Sequence, residues 1–208
     1  MQIEGLFAGK PQAFGPRKKP SSIIKQPFTS LKVNENGAEE DEQGNKKLHG
    51  GPHMALHQYS QLSYDILRDH FPAIADQLVP GSIGENITAP NMTDDNVFIG
   101  DMYAIGDVIV EVASPRAPCV KINQRFNQAG MDIFIASNGI CGWYYRILRK
   151  GTLEVGQEIK LIERLDNTVS VRELMVISRS KSQQARIDAS KISALPPEWV
   201  SKLTKALK

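Results

Sequence analysis

Short runs of β-branched and aromatic residues, separated by turn-forming residues, recur along the chain up to about residue 165 and predict β-strands. In NVFIGDMYAIGDVIVEVAS the runs are divided by Gly-Asp pairs at 100–101 and 106–107, which suit tight turns. The segments IEGLFAGK and QEIKLIERL predict further strands, and alternating residues predict another from His53 to Tyr59. Closing such strands into a barrel is one way to remove their unpaired edges. We therefore expect a mainly β fold with a β-barrel body.

One segment of the central body, residues 21–165, has the pattern of a helix instead. In SQLSYDILRDHF, Leu62 and Ile66 are four residues apart, so both are expected to face the core, with Tyr64 as a further inward candidate. Pro72 lies beyond the end of this pattern, where a helix usually stops. The central body is thus expected to contain one good helix among its strands.

The end of the chain changes character and predicts three short helices. Ser170 and Glu173 fit a capping box, QQARIDASKI is a second candidate, and Pro197 suits the first turn of a third. From Lys160 onward, 10 Lys or Arg against 5 Asp or Glu give a net charge of +5. Because this segment has no concentrated basic stripe with aromatic residues, we interpret it as a solvated helical surface and expect no nucleic-acid binding.

The composition is that of a globular protein, with 41% hydrophobic and 23% charged residues among 208. A net charge of only +2 implies no general attraction to nucleic acid or to a membrane. No run approaches the ~18 apolar residues of a membrane span, and the first residues do not resemble a signal peptide. Because two cysteines do not make a disulfide framework in a chain of this size, we expect a protein of the reducing cytoplasm.

The segment SPRAPCVKI places one cysteine, Cys119, behind two prolines. Pro115 and Pro118 fix their own φ angles and push the preceding residues toward extended conformations, so we expect Cys119 on a rigid, non-helical rim. Neighbouring cations such as Arg116 favour the thiolate, which is the form of cysteine that attacks substrates or ligates metals. Cys141 has no charged residue close to it in the sequence and is interpreted as a packing residue.

The segment LHGGP is a second candidate site. The backbone N–H groups of Gly50 and Gly51 can approach an anion closely, and His49 can donate a hydrogen bond from either ring nitrogen. An ordinary tight turn explains the same pattern. We do not expect zinc, because a pair spaced like His53 and His57 would need a helix face, and the break before them predicts a strand.

Four segments carry more information together than any of them does alone. In chain order they are EDEQGNKKLHGGPHMALHQY, GSIGENI, SPRAPCVKI and GICGWYYRIL. The series resembles the MOSC domain family, named after the C-terminal domain of molybdenum-cofactor sulfurases, and looks most like its bacterial YiiM-like branch. Relatives usually have Gly-Asp where this chain has Glu40-Asp41. The resemblance implies a MOSC-type β-barrel domain over residues 1–166 and a three-helix domain over residues 168–208.

The resemblance also implies that the chain binds the molybdenum–pterin cofactor, with Cys119 as the molybdenum ligand and a catalytic residue. His49 is the second catalytic candidate, because histidine ordinarily titrates near neutral pH and can deliver protons. The candidate cofactor-binding residues are Lys10, His49, Gly50, Gly51, Asn86, Arg116 and Cys119.

The individual contacts follow from the chemistry of the cofactor. Lys10, Arg116 and Lys121 offer positive charge to its terminal phosphate, although a solvated turn lysine explains Lys10 equally well. Asn86 can both donate to and accept from pterin edges. Glu85, beside it, is expected to hold a loop or to pair with Arg116.

For the activity, the resemblance implies reduction of small N-hydroxylated compounds, such as hydroxylaminopurine-type base analogues. This reduction needs two electrons and two protons, which no ordinary side chain carries. Two cysteines are fewer than the roughly four that hold an iron–sulfur cluster, and no dinucleotide fingerprint is present. We therefore expect an external electron donor, a flavin or iron–sulfur reductase.

Two other functions remain open from the sequence. The protein could carry sulfur as a persulfide on Cys119 for the assembly of a metal–sulfur cofactor, or it could be a non-enzymatic pterin-binding module. The sequence leaves the oligomeric state open, with a homodimer as one candidate.

Overall fold

The computed structural model describes residues 1–44 and 50–205. In these ranges the chain forms thirteen β-strands, six α-helices and two short 3-10 helices, at Pro52–Met54 and Pro72–Gln77. The strands are β1 (Gly5–Ala8), β2 (Gln12–Phe14), β3 (Lys19–Ser21), β4 (Gln26–Phe28), β5 (Ser30–Asn34), β6 (Gly37–Ala38), β7 (Leu56–Ser60), β8 (Ile87–Ala89), β9 (Met102–Ile105), β10 (Val108–Pro115), β11 (Trp143–Arg149), β12 (Gly151–Glu154) and β13 (Ile159–Glu163). The α-helices are α1 (Gln61–His70), α2 (Lys121–Phe126), α3 (Met131–Asn138), α4 (Val171–Arg179), α5 (Gln183–Ser190) and α6 (Pro197–Lys205).

Eight strands form one curled sheet in the order β13-β9-β10-β11-β7-β8-β1-β4. Its neighbours are antiparallel except for β7 and β8, which run parallel. An isolated bridge between Gln2 and Glu158 brings the segment before β1 to the segment before β13, so the sheet curls far toward closure. A three-stranded sheet, β12-β5-β6, and the hairpin β2-β3 complete the strands. The predicted mainly β, barrel-like fold with a few helices is confirmed.

The turns predicted around the Gly-Asp pairs are confirmed, but the strand predicted from His53 begins later. Pro52 opens a 3-10 turn, and β7 starts only at Leu56. The fixed φ of proline suits the first position of a helical turn. Gly51, just before it, has a φ of +96°, a backbone conformation that glycine adopts readily.

The inward face of α1 also differs from the prediction. Leu62 and Ile66 are 53% and 39% exposed, whereas Ser63 and Leu67 are buried together with Tyr64, the one inward candidate that the structure confirms. The Tyr64 hydroxyl donates to a buried carboxylate, 2.6 Å away on Glu85, and this contact fixes which side of the helix faces the core.

The expectation of a single helix in the central body is wrong, because α2 and α3 follow directly after the segment that contains Cys119. Both are short and begin or end at left-handed residues, such as Asn127 with a φ of +47° and Gly130 with a φ of +83°. A side-chain pair joins the two helices, since Asn123 donates to Asp132 at 2.7 Å. Their brevity is the reason that periodicity did not reveal them.

The three C-terminal helices are confirmed, and so is the capping box at Ser170 and Glu173. Their buried residues, including Leu174 and Trp199, belong to the same hydrophobic cluster as the core of the curled sheet. The division into domains at residues 166–168 stays a prediction. In the described part of the chain, none of the helices is both long and apolar enough to cross a lipid bilayer.

Candidate functional site

A cavity opens where three loops meet the ends of β7 and β10. It encloses about 640 Å³ of space outside the protein atoms, part of which is open solvent. The residues that line it come from widely separated parts of the chain. They are Ser21, Ser22, Ile23, Lys25, Asp41, Gln43, Gly44, Met54, His57, Ile83, Gly84, Asn86, Arg116, Cys119, Lys121 and Tyr144.

Cys119 lies at this cavity, half-buried, on the segment that links β10 to α2. Between Val112 and Ser114, the pairing of β10 with β11 shifts by one residue, which is a β-bulge that bends the strand before the segment begins. From Arg116 to Cys119 the backbone is neither helix nor strand, as the two prolines predicted. The structure therefore places the thiol on a non-helical rim with open space beside it.

Arg116 is only 8% exposed, yet no carboxylate of residues 1–44 and 50–205 balances its charge. Its backbone N–H donates to the Gly142 carbonyl oxygen at 2.9 Å, which fixes its position. Its Nη1 atom is buried and has no hydrogen-bond partner among the described residues, and none of their carboxylates forms an ion pair with it. Leaving a buried donor unpaired costs about 1–3 kcal/mol, and more for a charged group. An anion in the cavity would remove that cost.

Lys25 and Asp41 form a buried ion pair in the cavity wall, with 2.6 Å between Nζ and Oδ2. The Asp41 carboxylate also accepts hydrogen bonds from the Gly9 backbone at 2.7 Å and from Asn86 Nδ2 at 3.1 Å. Burial lowers the pKa of Lys25, although the adjacent Asp41 acts in the opposite direction. Sequence reasoning singled out neither residue of this pair. The acidic position of the Glu40-Asp41 pair in the quoted motif was the available signal.

Asn86 lines the cavity, and its amide is already engaged by the protein. Its Oδ1 accepts from the His57 backbone N–H at 3.0 Å, and its Nδ2 donates to the Phe7 carbonyl oxygen at 3.1 Å and to Asp41. In this arrangement Asn86 ties β1, β7 and the Asp41 loop together. A contact between Asn86 and a pterin stays a prediction.

His57 contributes an uncharged ring to the cavity wall. Burial lowers its pKa well below the usual value, and the positive charges of Arg116 and Lys25 lower it further. Backbone carbonyls of Gly84 and Cys141 act weakly in the opposite direction, but its buried Nε2 has no well-formed hydrogen bond within residues 1–44 and 50–205. The ring of Tyr144 lies 5.6 Å from the ring of His57. His57 is therefore neutral near pH 7, and its Nε2 is a buried polar atom without a partner among the described residues.

Tyr144 lies next to Cys119 and Arg116 in the cavity wall, on strand β11. Burial raises the pKa of its hydroxyl, while the neighbouring Arg116 acts to lower it. The phenol therefore stays protonated and can donate a hydrogen bond. Cys141, the other cysteine, is fully buried, and burial raises the pKa of its thiol. This placement agrees with its interpretation as a packing residue.

The remaining predicted residues do not lie together at the cavity. Lys10 is exposed and donates to the Glu39 carbonyl oxygen at 3.2 Å. Gly50 and Gly51 are half-buried and are not part of the cavity lining. His49 lies outside the described residues, so its role stays a prediction.

Of the two expectations for Glu85, the structure supports the loop. Its carboxylate accepts from the Tyr64 hydroxyl and from the Gly81 N–H, both at 2.6 Å. Ile83 and Gly84, which line the cavity, lie in the loop that this carboxylate holds. Glu85 therefore shapes one side of the cavity from behind.

A metal at this cavity would find few protein ligands. The described residues contain no group of three or more His, Cys, Asp or Glu side chains arranged to hold a metal ion. Cys119 would therefore be a single protein ligand, and further ligands would have to come from a bound molecule or from solvent.

Comparison with known proteins places this geometry in a family. The MOSC domain model matches residues 45–160, more than half of the chain. The chain is 34% identical to protein YiiM of Escherichia coli (strain K12) over 174 residues, which cover 83% of this chain and 77% of that protein. It is 38% identical over 135 residues, or 64% of its length, to a Gibberella moniliformis (strain M3125 / FGSC 7600) protein named reductase. The aligned part is only 24% of that longer protein.

The fold agrees with the sequence comparison along the whole chain. The crystal structure of YiiM from Geobacillus stearothermophilus superposes with a TM-score of 0.84 at 25% identity, covering 100% of this chain and 99% of that one. The similarity of fold thus extends over both the curled sheet and the C-terminal helices. On the strength of the family model and the YiiM relative together, the chain belongs to the MOSC domain family, in its YiiM-like branch.

Proposed function

We propose that this protein binds a molybdenum–pterin cofactor in the cavity and reduces small N-hydroxylated compounds, with Cys119 as the molybdenum ligand. The observation that carries the proposal is the meeting of two groups. The half-buried thiol of Cys119 lies on the same cavity as the buried Arg116, whose Nη1 has no partner among the described residues. The reductase named among the relatives supports redox chemistry as the class of activity.

The residues of the cavity fit a group that carries negative charge. A pterin cofactor ends in a phosphate, and guanidinium groups bind phosphate oxygens with charge-assisted hydrogen bonds. Arg116 has the free donor for this contact, whereas the charge of Lys25 is already balanced by Asp41 at 2.6 Å. Arg116 would therefore hold the anionic part, and Lys25 would add a donor at a fixed position.

Cys119 would hold the metal from a rigid support. Its segment is bounded by the end of β10 and by α2, and the Cys119 carbonyl oxygen accepts from the Ile122 N–H at 3.0 Å. A thiolate on such a support keeps its sulfur in one place. A single protein ligand needs this fixed position if the other coordination positions of the metal are to stay open. When bound, the cofactor supplies the two-electron chemistry that the side chains lack.

The protein's own residues would then bind the substrate and exclude water. Ile23 and Ile83 add apolar side chains to a cavity lining that also contains the polar groups of Arg116 and Tyr144. His57, being neutral, would hydrogen-bond to the ligand or to a water molecule without adding charge. In the overall reaction the N–O bond breaks, two electrons and two protons are consumed, and an amine and water form.

The electrons would come from a separate protein. The two cysteines of the chain are too few for an iron–sulfur cluster, which is usually held by about four. We therefore propose a flavin or iron–sulfur reductase as the electron donor. Purified protein that reduced hydroxylamines directly from a nicotinamide cofactor, without a partner, would contradict this part.

Metal analysis of the native protein tests the proposal. Protein purified from cells that make the cofactor should contain stoichiometric molybdenum, and Cys119→Ser should lose it while Cys141→Ser keeps it. With a chemical reductant as donor, the wild type should reduce an aromatic N-hydroxylamine, and Cys119→Ser should not. Both variants remove one thiol, so the comparison separates loss of the ligand from loss of a cysteine.

The two other functions give different results in the same experiment. A sulfur carrier would lack the metal and would show, by mass spectrometry, one additional sulfur atom on Cys119. A pterin-binding module without activity would keep the pterin in Cys119→Ser and would reduce nothing. Either outcome would overturn the reductase proposal.

A further inference from the structure

Asp94 is a buried carboxylate that holds two consecutive backbone N–H groups just before β11. It is 1% exposed, and its Oδ1 accepts from Cys141 N at 3.0 Å and from Gly142 N at 2.8 Å. The other oxygen, Oδ2, is buried and has no hydrogen-bond partner in the described part of the chain. The carboxylate therefore fixes the peptide between Cys141 and Gly142.

This peptide is part of the support of the anion-binding wall, by which we mean Arg116, His57 and Tyr144. The Gly142 carbonyl oxygen accepts the backbone N–H of Arg116 at 2.9 Å. The α-carbon of Gly142 faces His57 so closely that a Cβ there would lie 2.9 Å from Nε2. Tyr144 follows two residues later on β11. A shift of Gly142 would therefore move all three side chains of the wall.

The first turn of α4 holds Asp94 from the opposite side. The Arg172 backbone N–H donates to the Asp94 carbonyl oxygen at 2.8 Å, and the Arg172 guanidinium forms an ion pair with Asp95 at 2.7 Å. The stem of Arg172 also covers Gly139, where a Cβ would lie 2.7 Å from Cγ. The first turn of α4 thus contacts Asp94 itself and Gly139, two residues before the peptide that Asp94 holds.

We infer that Asp94 is a positioning residue for the anion-binding wall and that the first turn of α4 keeps it in place, which gives the C-terminal helices a part in ligand binding. The inference rests on the proposed function in one respect, the binding of an anionic group by Arg116. Asp94 touches neither the substrate nor the cofactor and acts through Gly142.

The electrostatics of Asp94 support a positional rather than a stabilising role. Burial raises its pKa to about 6, so keeping the carboxylate ionised near pH 7 opposes folding. Arg172 is the cation whose charge reaches it and acts in the opposite direction. The other titratable groups that face it, the Cys141 thiol and the Tyr59 hydroxyl, have pKa values raised by burial and stay uncharged.

Protection of Cys119 by sulfate tests the inference on the whole chain. Cys119 is alkylated with iodoacetamide at increasing sulfate concentration, and the half-protecting concentration reports anion binding beside Arg116. Removing the charge of Asp94 would, by electrostatics alone, make sulfate bind more tightly. A positioning role predicts the opposite, about tenfold weaker protection in Asp94→Asn. Asp188→Asn, which removes an exposed carboxylate on α5, is the matched control and should stay within about twofold.

The pH dependence of the wild type gives a second measurement that needs no variant. Sulfate keeps its charge between about pH 5 and pH 8, and burial lowers the pKa of His57 well below its usual value, so neither group is expected to titrate near pH 6. The half-protecting concentration should therefore rise as the pH falls through about 6, where Asp94 takes up a proton and becomes a weaker acceptor. Asp94→Asn should lack this component.

Arg172→Gln should weaken protection more than Arg179→Gln, which removes the same charge from an exposed position on α4.

The outcomes separate this inference from the proposed function. Unchanged or tighter protection in Asp94→Asn, or equal effects of the two arginine variants, would overturn the positioning role and leave the function of Arg116 intact. Sulfate that fails to protect the wild type, or protects Arg116→Gln equally well, would instead overturn the anion-binding role of Arg116, and the inference with it.

Discussion

Replacing Gly142 with alanine should destabilise the protein by much more than the loss of a glycine explains. Gly142 has a φ of +68°, where an L-residue pays about 1–2 kcal/mol. A Cβ there would overlap the Gln58 carbonyl oxygen and would lie 2.9 Å from His57 Nε2 and 3.0 Å from Tyr59 Cδ2. Because Gln58 and Tyr59 belong to the buried strand β7, they cannot move away without disturbing the sheet.

The size of the effect follows from two contributions. Overpacking a well-filled core typically costs about 1–3 kcal/mol, and this adds to the backbone strain, so we expect a loss of about 2–5 kcal/mol in the free energy of unfolding. Gly156→Ala is the matched control. Gly156 has a φ of +89°, but within 4 Å of its Cβ position lies no atom of the described residues, so it should show the backbone cost alone.

Urea denaturation of the two variants beside the wild type measures both contributions. The difference between Gly142→Ala and Gly156→Ala isolates the steric part and should be about 1–3 kcal/mol. Equal losses in the two variants would show that the turn before β11 yields easily. That result would refute the close packing of Gly142 on His57, from which the positioning of the anion-binding wall is argued.

Three further predictions concern buried charges and thiols. Cys141→Ser should lower the free energy of unfolding, measured by thermal denaturation, by only about 1 kcal/mol, because the serine hydroxyl can donate to Asp94, which lies 3.7 Å from the present sulfur. The molybdenum content should stay unchanged, and loss of the metal would contradict a packing role for Cys141. Folding raises the pKa of the Asp94 carboxyl from 3.8 to about 6, so between these values the folded state binds a proton that the unfolded state does not. Lowering the pH from about 7 to about 4 should therefore raise the free energy of unfolding of the wild type by about 2 kcal/mol relative to Asp94→Asn. A difference between the two proteins that does not change with pH would contradict the burial of this charge. Asp41→Asn should lower the free energy of unfolding by about 3–5 kcal/mol, because it leaves the Lys25 ammonium group buried and unpaired. Adding Lys25→Met should recover part of that stability, and strictly additive losses in the double variant would argue against the ion pair.

Features that depend on a few neighbouring residues could be predicted from the sequence. The turn at Gly106–Asp107 and the capping box at Ser170 are determined within four residues, and both formed as expected. The face of α1 that is buried depends instead on a distant partner, the Glu85 carboxylate that binds Tyr64. The prediction from Leu62 and Ile66 was wrong because the helix sequence alone does not show which distant residues pack against it.

The same distinction applies to the site. Cys119 and Arg116 are three residues apart, and the prolines between and before them made their rim predictable. Lys25, Asp41 and His57 reach the cavity from three other segments, and only the curl of the sheet brings them together. A lysine next to apolar residues in SSIIKQ gives no sign by itself that its ammonium group is buried. Long-range pairing, which local patterns do not encode, created this part of the site.

The arginines elsewhere in the molecule show why Arg116 is best explained by a ligand. Arg146 pairs with Glu111 at 2.5 Å, and Arg164 pairs with Asp101 at 2.7 Å, although both arginines are more exposed than Arg116. Burying a guanidinium group costs several kcal/mol unless a negative charge and further hydrogen bonds offset it. In the described part of the chain, Arg146 and Arg164 have a carboxylate partner although they are partly hydrated. The more deeply buried Arg116, in the cavity wall, has none. An anion bound beside the Cys119 thiol would supply that charge and those hydrogen bonds. Its binding free energy would then include the recovery of part of the cost of burying the Arg116 guanidinium group.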